Sequence, residues 1–233
     1  MRNYVYFANK NLDEYNTFVT NAGVYSAPAR NYDSIPVAGR NGNLLFENNK
    51  FENVEQSYPI IILNGFNENY AALKSFLLSQ RGYCRLSDTF YPDEFYMATF
   101  KQFDSIKQSF LDGDMGSCIL IFERKPQRYL KSGEKRLEMT AAGNIKNPTK
   151  FTSLPLIRTY GSGTLTIGDV SIAISTTQNY LDIDCELQEV LQTGGNLEVT
   201  LTNGEFPSLE SGINEISFTG LSKIEIVPRW YVL

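Results

Sequence analysis

After Asn147 the chain consists of short segments of alternating apolar and polar residues, separated by turns that contain glycine. Alternation with period two places the apolar side chains on one face of a β-strand. These segments are Leu156–Tyr160, Gly163–Gly168, Val170–Ser175, Tyr180–Leu187, Leu197–Leu201, Gly212–Phe218 and Ile224–Val227. About seven short strands at regular spacing, with no helical pattern beside them, predict a β-sandwich or a jelly roll.

The first half of the chain also reads mainly as strands. Tyr58–Leu63 and Gly116–Phe122 are short apolar runs rich in β-branched residues, which predicts buried strands. Phe95–Phe100 is rich in aromatic residues and predicts another strand. The fold class expected for the whole chain is therefore mainly β, with one helix in the N-terminal domain.

That helix is predicted from Glu68 to Gln80, with Asn67 as its N-cap and Gly82 near its C-terminal end. Its apolar stripe, which predicts packing against the sheet, consists of Tyr70, Leu73, Phe76 and Leu77. A short helical turn is predicted for Ser105–Leu111, before a turn at Asp112–Gly116.

The stretch from Lys125 to Asn147 is basic, contains glycine and lacks long apolar runs. Such composition indicates a domain boundary, which we place near residue 140. The expected domains are residues 1–140 and residues 141–233. The basic side chains read either as a solvated face or as a contact for an acidic neighbour.

Composition excludes several kinds of function. The 233 residues contain no histidine, which removes the commonest general base and the commonest metal ligand. Cys84, Cys118 and Cys185 lack zinc-site spacing and read as small core residues. A net charge of −5 disfavours general binding to nucleic acid, and no apolar run is long enough to predict a membrane-spanning helix or a signal peptide. The sequence therefore predicts no catalytic residues, no cofactor and no metal, and an enzyme is not expected.

The C-terminal half contains one row of acidic residues. Asp182, Asp184 and Glu186 alternate with apolar residues, so a straight strand would place three carboxylates on one face. A calcium site or a glycosidase pair could use such a face. The favoured interpretation is a polar row that faces solvent or an interface.

The segment from Ser26 to Leu44 is dense in residues that fix the shape of the backbone. Prolines lock φ, glycines allow positive φ, Asn-Gly favours a tight hairpin turn, and arginines offer forked donors: Pro28, Pro36, Gly39, Gly42, Asn41, Arg30 and Arg40. The segment reads as an ordinary strand-turn-strand or as a rigid surface for a partner protein. A loop around Tyr91 combines turn residues with aromatic residues in the same way.

Five stretches of the sequence carry a resemblance, in the same order along nearly the whole chain. They are SAPARNYDSIPVAGRNGNL (26–44), RGYCRLSDTFYPDEFYMATF (81–100), FERKPQRYLKSGE (122–134), IKNPTKFTSLPLIRTYGSG (145–163) and IVPRWYVL (226–233). Together they resemble the distal tail protein (Dit) family of long, non-contractile-tailed phages.

This resemblance implies a structural protein of the virion tail tip, made in the cytoplasm of the bacterial host. It implies an N-terminal ring-forming domain and a C-terminal galectin-like β-sandwich, with six copies in a ring at the distal end of the tail tube. The implied partners are other copies, the major tail tube protein, a tail-associated hub protein or lysin, and a receptor-binding protein. DNA would pass through the ring without specific binding, and no membrane is involved. The residues expected at protein interfaces are Arg30, Tyr32, Arg40, Asn41, Asn43 and Tyr91.

A different class of function stays open from the residues alone. The C-terminal sandwich could be a carbohydrate-binding module, because exposed tyrosine or tryptophan rings commonly stack on sugars; the candidates are Tyr160, Tyr180, Trp230 and Tyr231. Trp230 has a second interpretation, in which the last strand buries it in the core of the sandwich. We favour that one, since the alternation of Ile224 and Ile226 leads into it.

Overall fold

A computed structural model describes residues 3–109, 114–191, 197–201 and 205–233. It confirms the mainly β class: strands dominate, and one α-helix is present among the described residues. The chain divides into two compact units between Arg128 and Tyr129, with Leu233 assigned to the first. The sequence predicts a boundary near residue 140. The observed division precedes it because Leu137–Met139 already pairs with Ile224–Ile226 inside the second unit. The assignment of a ring-forming and a galectin-like role to the two units stays a prediction.

The first ten strands and the helix belong to the N-terminal part of the chain. They are β1 (Val5–Phe7), β2 (Lys10–Asn11), β3 (Thr17–Val19), β4 (Val24–Tyr25), β5 (Arg30–Pro36), β6 (Asn43–Phe51), β7 (Val54–Ile62), α1 (Phe66–Ser79), β8 (Cys84–Asp88), β9 (Glu94–Ser109) and β10 (Met115–Leu130). The main sheet has the order β2-β1-β8-β9-β10-β7-β3, and β4 also pairs with β7. The predicted strands Phe95–Phe100 and Gly116–Phe122 lie within β9 and β10, and Tyr58–Leu63 lies within β7 except for Leu63, which follows the strand.

Helix α1 packs its apolar side chains on the core of the main sheet. Of the predicted stripe, Leu73 and Leu77 are buried, while Tyr70 and Phe76 are partly buried against the same core; Phe66, outside the predicted stripe, is buried as well. The predicted N-cap is wrong, because the helix begins at Phe66 and Asn67 lies inside its first turn. Gly65 precedes the helix with a φ of 60°, so the tight turn after β7 sets the start of the helix and a side-chain cap does not.

The helical turn predicted for Ser105–Leu111 is also wrong over its described part. Ser105–Ser109 continues strand β9, since pairing with β10 extends beyond the aromatic run and overrides the local polar pattern. Leu111, and the predicted turn at Asp112 and Gly113, lie outside the described residues.

The second unit contains two five-stranded antiparallel sheets. Its strands are β11 (Leu137–Met139), β12 (Gly143–Asn147), β13 (Leu156–Tyr160), β14 (Gly163–Ile167), β15 (Val170–Thr176), β16 (Leu181–Asp184), β17 (Glu189–Leu191), β18 (Leu197–Leu201), β19 (Gly212–Thr219), β20 (Lys223–Val227) and β21 (Tyr231–Val232). One sheet has the order β11-β20-β13-β16-β17 and the other has the order β12-β19-β14-β15-β18.

The two sheets share one apolar core, which confirms the predicted sandwich. Inward side chains of both sheets form it, among them Ile157, Leu165 and Ile226. Trp230 belongs to the same core and is 5% exposed, so the favoured interpretation of this residue is confirmed. The Leu130 amide donates to the carbonyl of Trp230, which holds the last residues against this core.

The free cysteines are placed as the sequence predicts for small core residues. Cys118 and Cys185 are buried and Cys84 is partly buried. Burial raises the pKa of the Cys118 and Cys185 thiols to about 12, which keeps both in the unreactive thiol form.

A candidate assembly surface on an exposed hairpin

Strands β5 and β6 form a two-stranded sheet that, among the described residues, pairs with no other strand. A bulge between Asn31 and Tyr32 shifts the register near its base. The predicted strand-turn-strand is confirmed, but Asn41-Gly42 is not a two-residue turn. The strands are joined by the six residues 37–42, in which Gly39 and Gly42 have φ values of 74° and 83°. These positive angles are the reason why glycine stands at both positions.

The hairpin exposes apolar side chains on both of its faces. Ile35 pairs with Leu44 and Asp33 with Phe46, which places the apolar members of these pairs on one face. Tyr32 and Leu45 lie on the other face. All five apolar side chains are between 41 and 58% exposed. A two-stranded ribbon is marginally stable alone in water, and contiguous exposed apolar surface marks interaction sites.

Five of the six residues predicted at interfaces lie on this hairpin. Arg30 begins β5, where its guanidinium lies 5.1 Å from the centre of the Phe51 ring and 3.8 Å from the Glu47 carboxylate. Asn43 begins β6 and donates to the Ser34 hydroxyl at 2.7 Å. The remaining three follow the backbone: Tyr32 is in β5, and Arg40 and Asn41 are in the loop, all exposed.

Tyr91, the sixth predicted residue, lies outside the hairpin, in the loop after β8. Its ring meets the ring of Tyr25 edge-on, with 4.8 Å between the centroids. Its backbone amide donates to a carboxylate oxygen of Asp88. Tyr91 is therefore at the base of the hairpin, because Tyr25 begins the short segment that leads into β5. The interface role of all six residues stays a prediction.

The base of the hairpin is tied to the N-terminal core by polar contacts. We call the residues from Tyr25 to Ala29 the strap. The Tyr25 hydroxyl donates to the Asp88 carboxylate at 2.9 Å, and Arg124 donates to the Ser26 carbonyl at 3.0 Å. The amide of Glu52, just after β6, donates to the Ala29 carbonyl at 3.0 Å.

The Asp88 carboxylate that receives Tyr25 is itself buried and well supplied with donors. Tyr58 donates to it at 2.6 Å, and the amides of Phe90 and Tyr91 donate to its other oxygen. Burial, together with the nearby negative charge of Asp88, raises the pKa of Tyr25 and Tyr58, so both hydroxyls remain donors at neutral pH.

Two carboxylates of the acidic row in the C-terminal unit are paired with arginines. Strand β16 ends at Asp184, so the predicted straight strand up to Leu187 is wrong. Asp182 forms two hydrogen bonds of 2.7 Å with Arg158, and Asp184 forms two with Arg229. Within the described part of the chain, no group of three or more acidic, cysteine or histidine side chains is placed to hold a metal ion.

Other side chains contact the aromatic rings that are candidates for stacking on sugars. Tyr160 donates to Glu225 and carries the Lys223 ammonium 4.5 Å above its ring. Tyr180 is 46% exposed, with the Arg158 guanidinium 4.3 Å above its ring. A shallow depression of about 350 Å³ on the other sheet is lined by Asn144, Thr166, Glu215 and Ser217, among other small or polar residues, and by no aromatic side chain. The stacking surface therefore consists mainly of Tyr180.

The apolar character of the hairpin was not among the sequence predictions, which concentrated on its charged and turn residues. The signal is the run Leu44-Leu45-Phe46. Three consecutive apolar residues in a strand place apolar side chains on both faces, which a strand with one buried face does not show.

In the ranges that the structure describes, no helix is both long enough and apolar enough to cross a bilayer. Comparison with known proteins finds no matching family model and no matching curated protein. The solved structures that are similar to this chain include "Crystal Structure of SPP1 Dit (gp 19.1) Protein, a Paradigm of Hub Adsorption Apparatus in Gram-positive Infecting Phages". The TM-score is 0.65 at 15% sequence identity, and the match covers 100% of both chains. The resemblance seen in the five sequence stretches is confirmed at the level of the fold: from end to end, this chain has the fold of a phage distal tail protein.

Proposed function

We propose that this chain is a structural protein of a phage tail tip that assembles with copies of itself into a closed ring, and that the β5–β6 hairpin is its main assembly surface. The observation that carries the proposal is the exposure of five apolar side chains on both faces of a ribbon that pairs with no other described strand. A heterologous contact repeated around an axis closes into a ring. The fold of the SPP1 protein, described as part of a hub adsorption apparatus, supports the same role.

The proposal includes the wider set of partners. The ring would join the major tail tube protein on one side to a tail-associated hub protein or lysin on the other, with a receptor-binding protein beyond. DNA would pass through without specific contacts, which the net charge of −5 favours. The role requires no catalytic group, and the carboxylates that sequence reasoning singled out are engaged by arginines.

The experiment compares the full-length chain with a variant that replaces two of the three apolar side chains on the larger apolar face of the hairpin, Ile35→Ser with Phe46→Ser. Light scattering at micromolar concentration and negative-stain microscopy should show rings of about six copies for the parent, alone or after the tail tube protein is added, and single chains for the variant. Leu78→Ser is the matched control, because Leu78 is 60% exposed on α1 and lies outside the hairpin. A variant that still forms rings, or a parent that stays a dimer under both conditions, would contradict the proposal.

A second candidate function is glycan binding by the C-terminal unit, and the exposed ring of Tyr180 beside Arg158 favours it. Binding of residues 129–233 to a glycan array, lost in Tyr180→Ala, would support this function. An array without signal leaves the assembly role as the only candidate.

A further inference from the structure

One end of the N-terminal core is polar, whereas the rest of that core is mainly apolar. Asp88, Tyr96, Arg124 and Gln56 are all buried, on the adjacent strands β8, β9, β10 and β7. Tyr96 pairs with Leu86, two residues before Asp88, and Gln56 pairs with Phe122, two residues before Arg124. Because side chains two residues apart share a face, the four groups form one row across the core face of the sheet. We call it the polar row.

Arg124 loses hydration free energy on burial in this row, because it carries a charge. Its guanidinium is buried and donates hydrogen bonds to three backbone carbonyls, those of Ser26, Lys125 and Pro126. It also stacks 4.8 Å from the centre of the Tyr96 ring. No carboxylate of the described residues lies within ion-pair distance, and burial lowers the pKa of this arginine. An apolar residue would fill the same space without the loss of hydration.

Two members of the polar row, Arg124 and Asp88, hydrogen-bond with the strap. Arg124 and Ser26 are 98 residues apart in the chain, and the Tyr25 hydroxyl meets Asp88 across 63 residues. On the other side of the hairpin, Asn53 donates to the Tyr83 hydroxyl at 2.7 Å and to Glu123 at 2.9 Å. The segments before β5 and after β6 are thus both held by directional hydrogen bonds. Beyond them, β5 and β6 pair only with each other in the described structure.

We infer that Arg124 is a positioning residue: with Asp88 it fixes the direction in which the β5–β6 hairpin leaves the N-terminal unit. The benefit to assembly rests on the proposed function, while the direction itself does not. A buried guanidinium can hold the Ser26 carbonyl at a defined angle, and an apolar side chain of similar volume cannot. The polar row therefore fixes the orientation of a ribbon that, among the described residues, pairs with no other strand.

The experiment measures the direction of the hairpin in the full-length chain. Spin labels are placed at Ala38→Cys in the hairpin loop and at Lys74→Cys on α1, in a Cys84→Ser background and diluted with unlabelled chain. Pulsed electron paramagnetic resonance should give a narrow distance distribution for the parent and one about twice as wide for Arg124→Met. Arg128→Met is the matched control, since Arg128 lies on the same strand but pairs with Glu94 at 3.5 Å; its distribution should stay narrow.

A purely structural role for Arg124 predicts a different result. We expect Arg124→Met to melt within about 5 °C of the parent, because an apolar replacement of a buried charge is often neutral in stability. An unchanged distance distribution, or a parent distribution as wide as that of the variant, overturns the inference. If Arg124→Met does not fold, Tyr25→Phe and Arg124→Lys replace it: each should widen the distribution partially, and no widening in either overturns the inference.

The outcomes also separate this inference from the proposed function. A wide distribution in a variant that still forms rings supports the positioning role and counts against the hairpin as the assembly surface. Lost rings with a narrow distribution overturn the positioning role, whatever the hairpin contacts.

Discussion

Arg229 closes the end of the chain onto strand β16. Its two terminal nitrogens donate to the two carboxylate oxygens of Asp184 at 2.7 and 2.8 Å, and its backbone amide donates to the Gly133 carbonyl. Its φ of 57° lies in the left-handed region, which a residue other than glycine adopts at some cost. The pairing with Asp184 offsets that cost and sets Trp230, the next residue, into the core.

Asp184→Asn should therefore destabilise the C-terminal unit. The variant leaves the partly buried Arg229 without its charge partner, and the expected loss is about 3 kcal/mol in the free energy of unfolding. Urea denaturation followed by Trp230 fluorescence measures it. Glu215→Gln serves as the control, because Glu215 is exposed on the other sheet and should change stability by less than about 0.5 kcal/mol. A loss below about 1 kcal/mol for Asp184→Asn would show that Arg229 finds other support.

Two carboxylates make the C-terminal unit sensitive to acid. Lys223, with Arg136 and Tyr160, holds the pKa of Glu225 at about 2 against its ordinary value of 4.5, and Arg229 lowers the pKa of Asp184. A lowered pKa means that the unfolded chain binds more protons than the folded one, so stability is present above pH 4.5 and is lost as the pH falls toward 2.

Glu225→Gln tests this dependence on pH. The unfolding midpoint of the parent, measured by circular dichroism between pH 6 and pH 2, should fall most steeply below about pH 4.5. The variant should start lower at pH 6 and fall less steeply. A parent and a variant with parallel curves would mean that Glu225 does not contribute to the acid response.

At the scale of elements, the close approach of α1 to β10 allows only glycine at one position. A Cβ at Gly116 would overlap the Phe66 ring and would lie 2.8 Å from the carbonyl oxygen of Lys107 on β9. The first turn of the helix and the β9–β10 pair therefore meet at a residue without a side chain.

Gly116→Ala should lower the stability of the N-terminal unit by about 2–3 kcal/mol, because both the ring and the backbone must move. Hydrogen exchange of the α1 amides, read together with thermal unfolding, reports the loss. Gly82→Ala is a useful comparison: its φ is 68° but nothing lies near the added Cβ, so its cost of about 1 kcal/mol is conformational alone. Equal effects from the two substitutions would argue against the crowding at Gly116.

The elements differ in how far the sequence predicts them, for physical reasons. Leu156–Tyr160 and Leu197–Leu201 begin and end as predicted, because alternation reports directly which face of a strand is buried. The start of α1 depends on a tight turn at Gly65, and Ser105–Ser109 depends on pairing with β10, which local composition does not encode.

The candidate site shows the same limit. The proline and glycine residues predict the position of the hairpin, and the run Leu44-Leu45-Phe46 indicates its two apolar faces. Arg124 stands at the edge of a basic stretch that reads as solvated. Its burial follows from contacts 98 residues distant, so no local pattern could have predicted it.

At the scale of the molecule, the second unit should fold alone as residues 129–233. Trp230 is the only tryptophan and lies in the C-terminal core, so a blue-shifted fluorescence that is lost cooperatively in urea is the expected signature.

A shorter fragment, residues 143–233, lacks β11, and it lacks Leu130 and Gly133, which hydrogen-bond with Trp230 and Arg229 respectively. It should show red-shifted fluorescence or a clearly lower midpoint. Equal midpoints for the two fragments would restore a boundary near residue 140.

The hairpin with two apolar faces has a consequence for the order of assembly. If each copy lodges its ribbon in the next, an open arc of any length leaves one ribbon in water, and only closure covers the last. Each copy that joins an open arc forms one new contact and leaves one ribbon exposed. The copy that closes the ring forms a contact with each of its two neighbours and covers the last exposed ribbon. Partial arcs should be scarce at every concentration, so that a population of single chains gives way directly to complete rings.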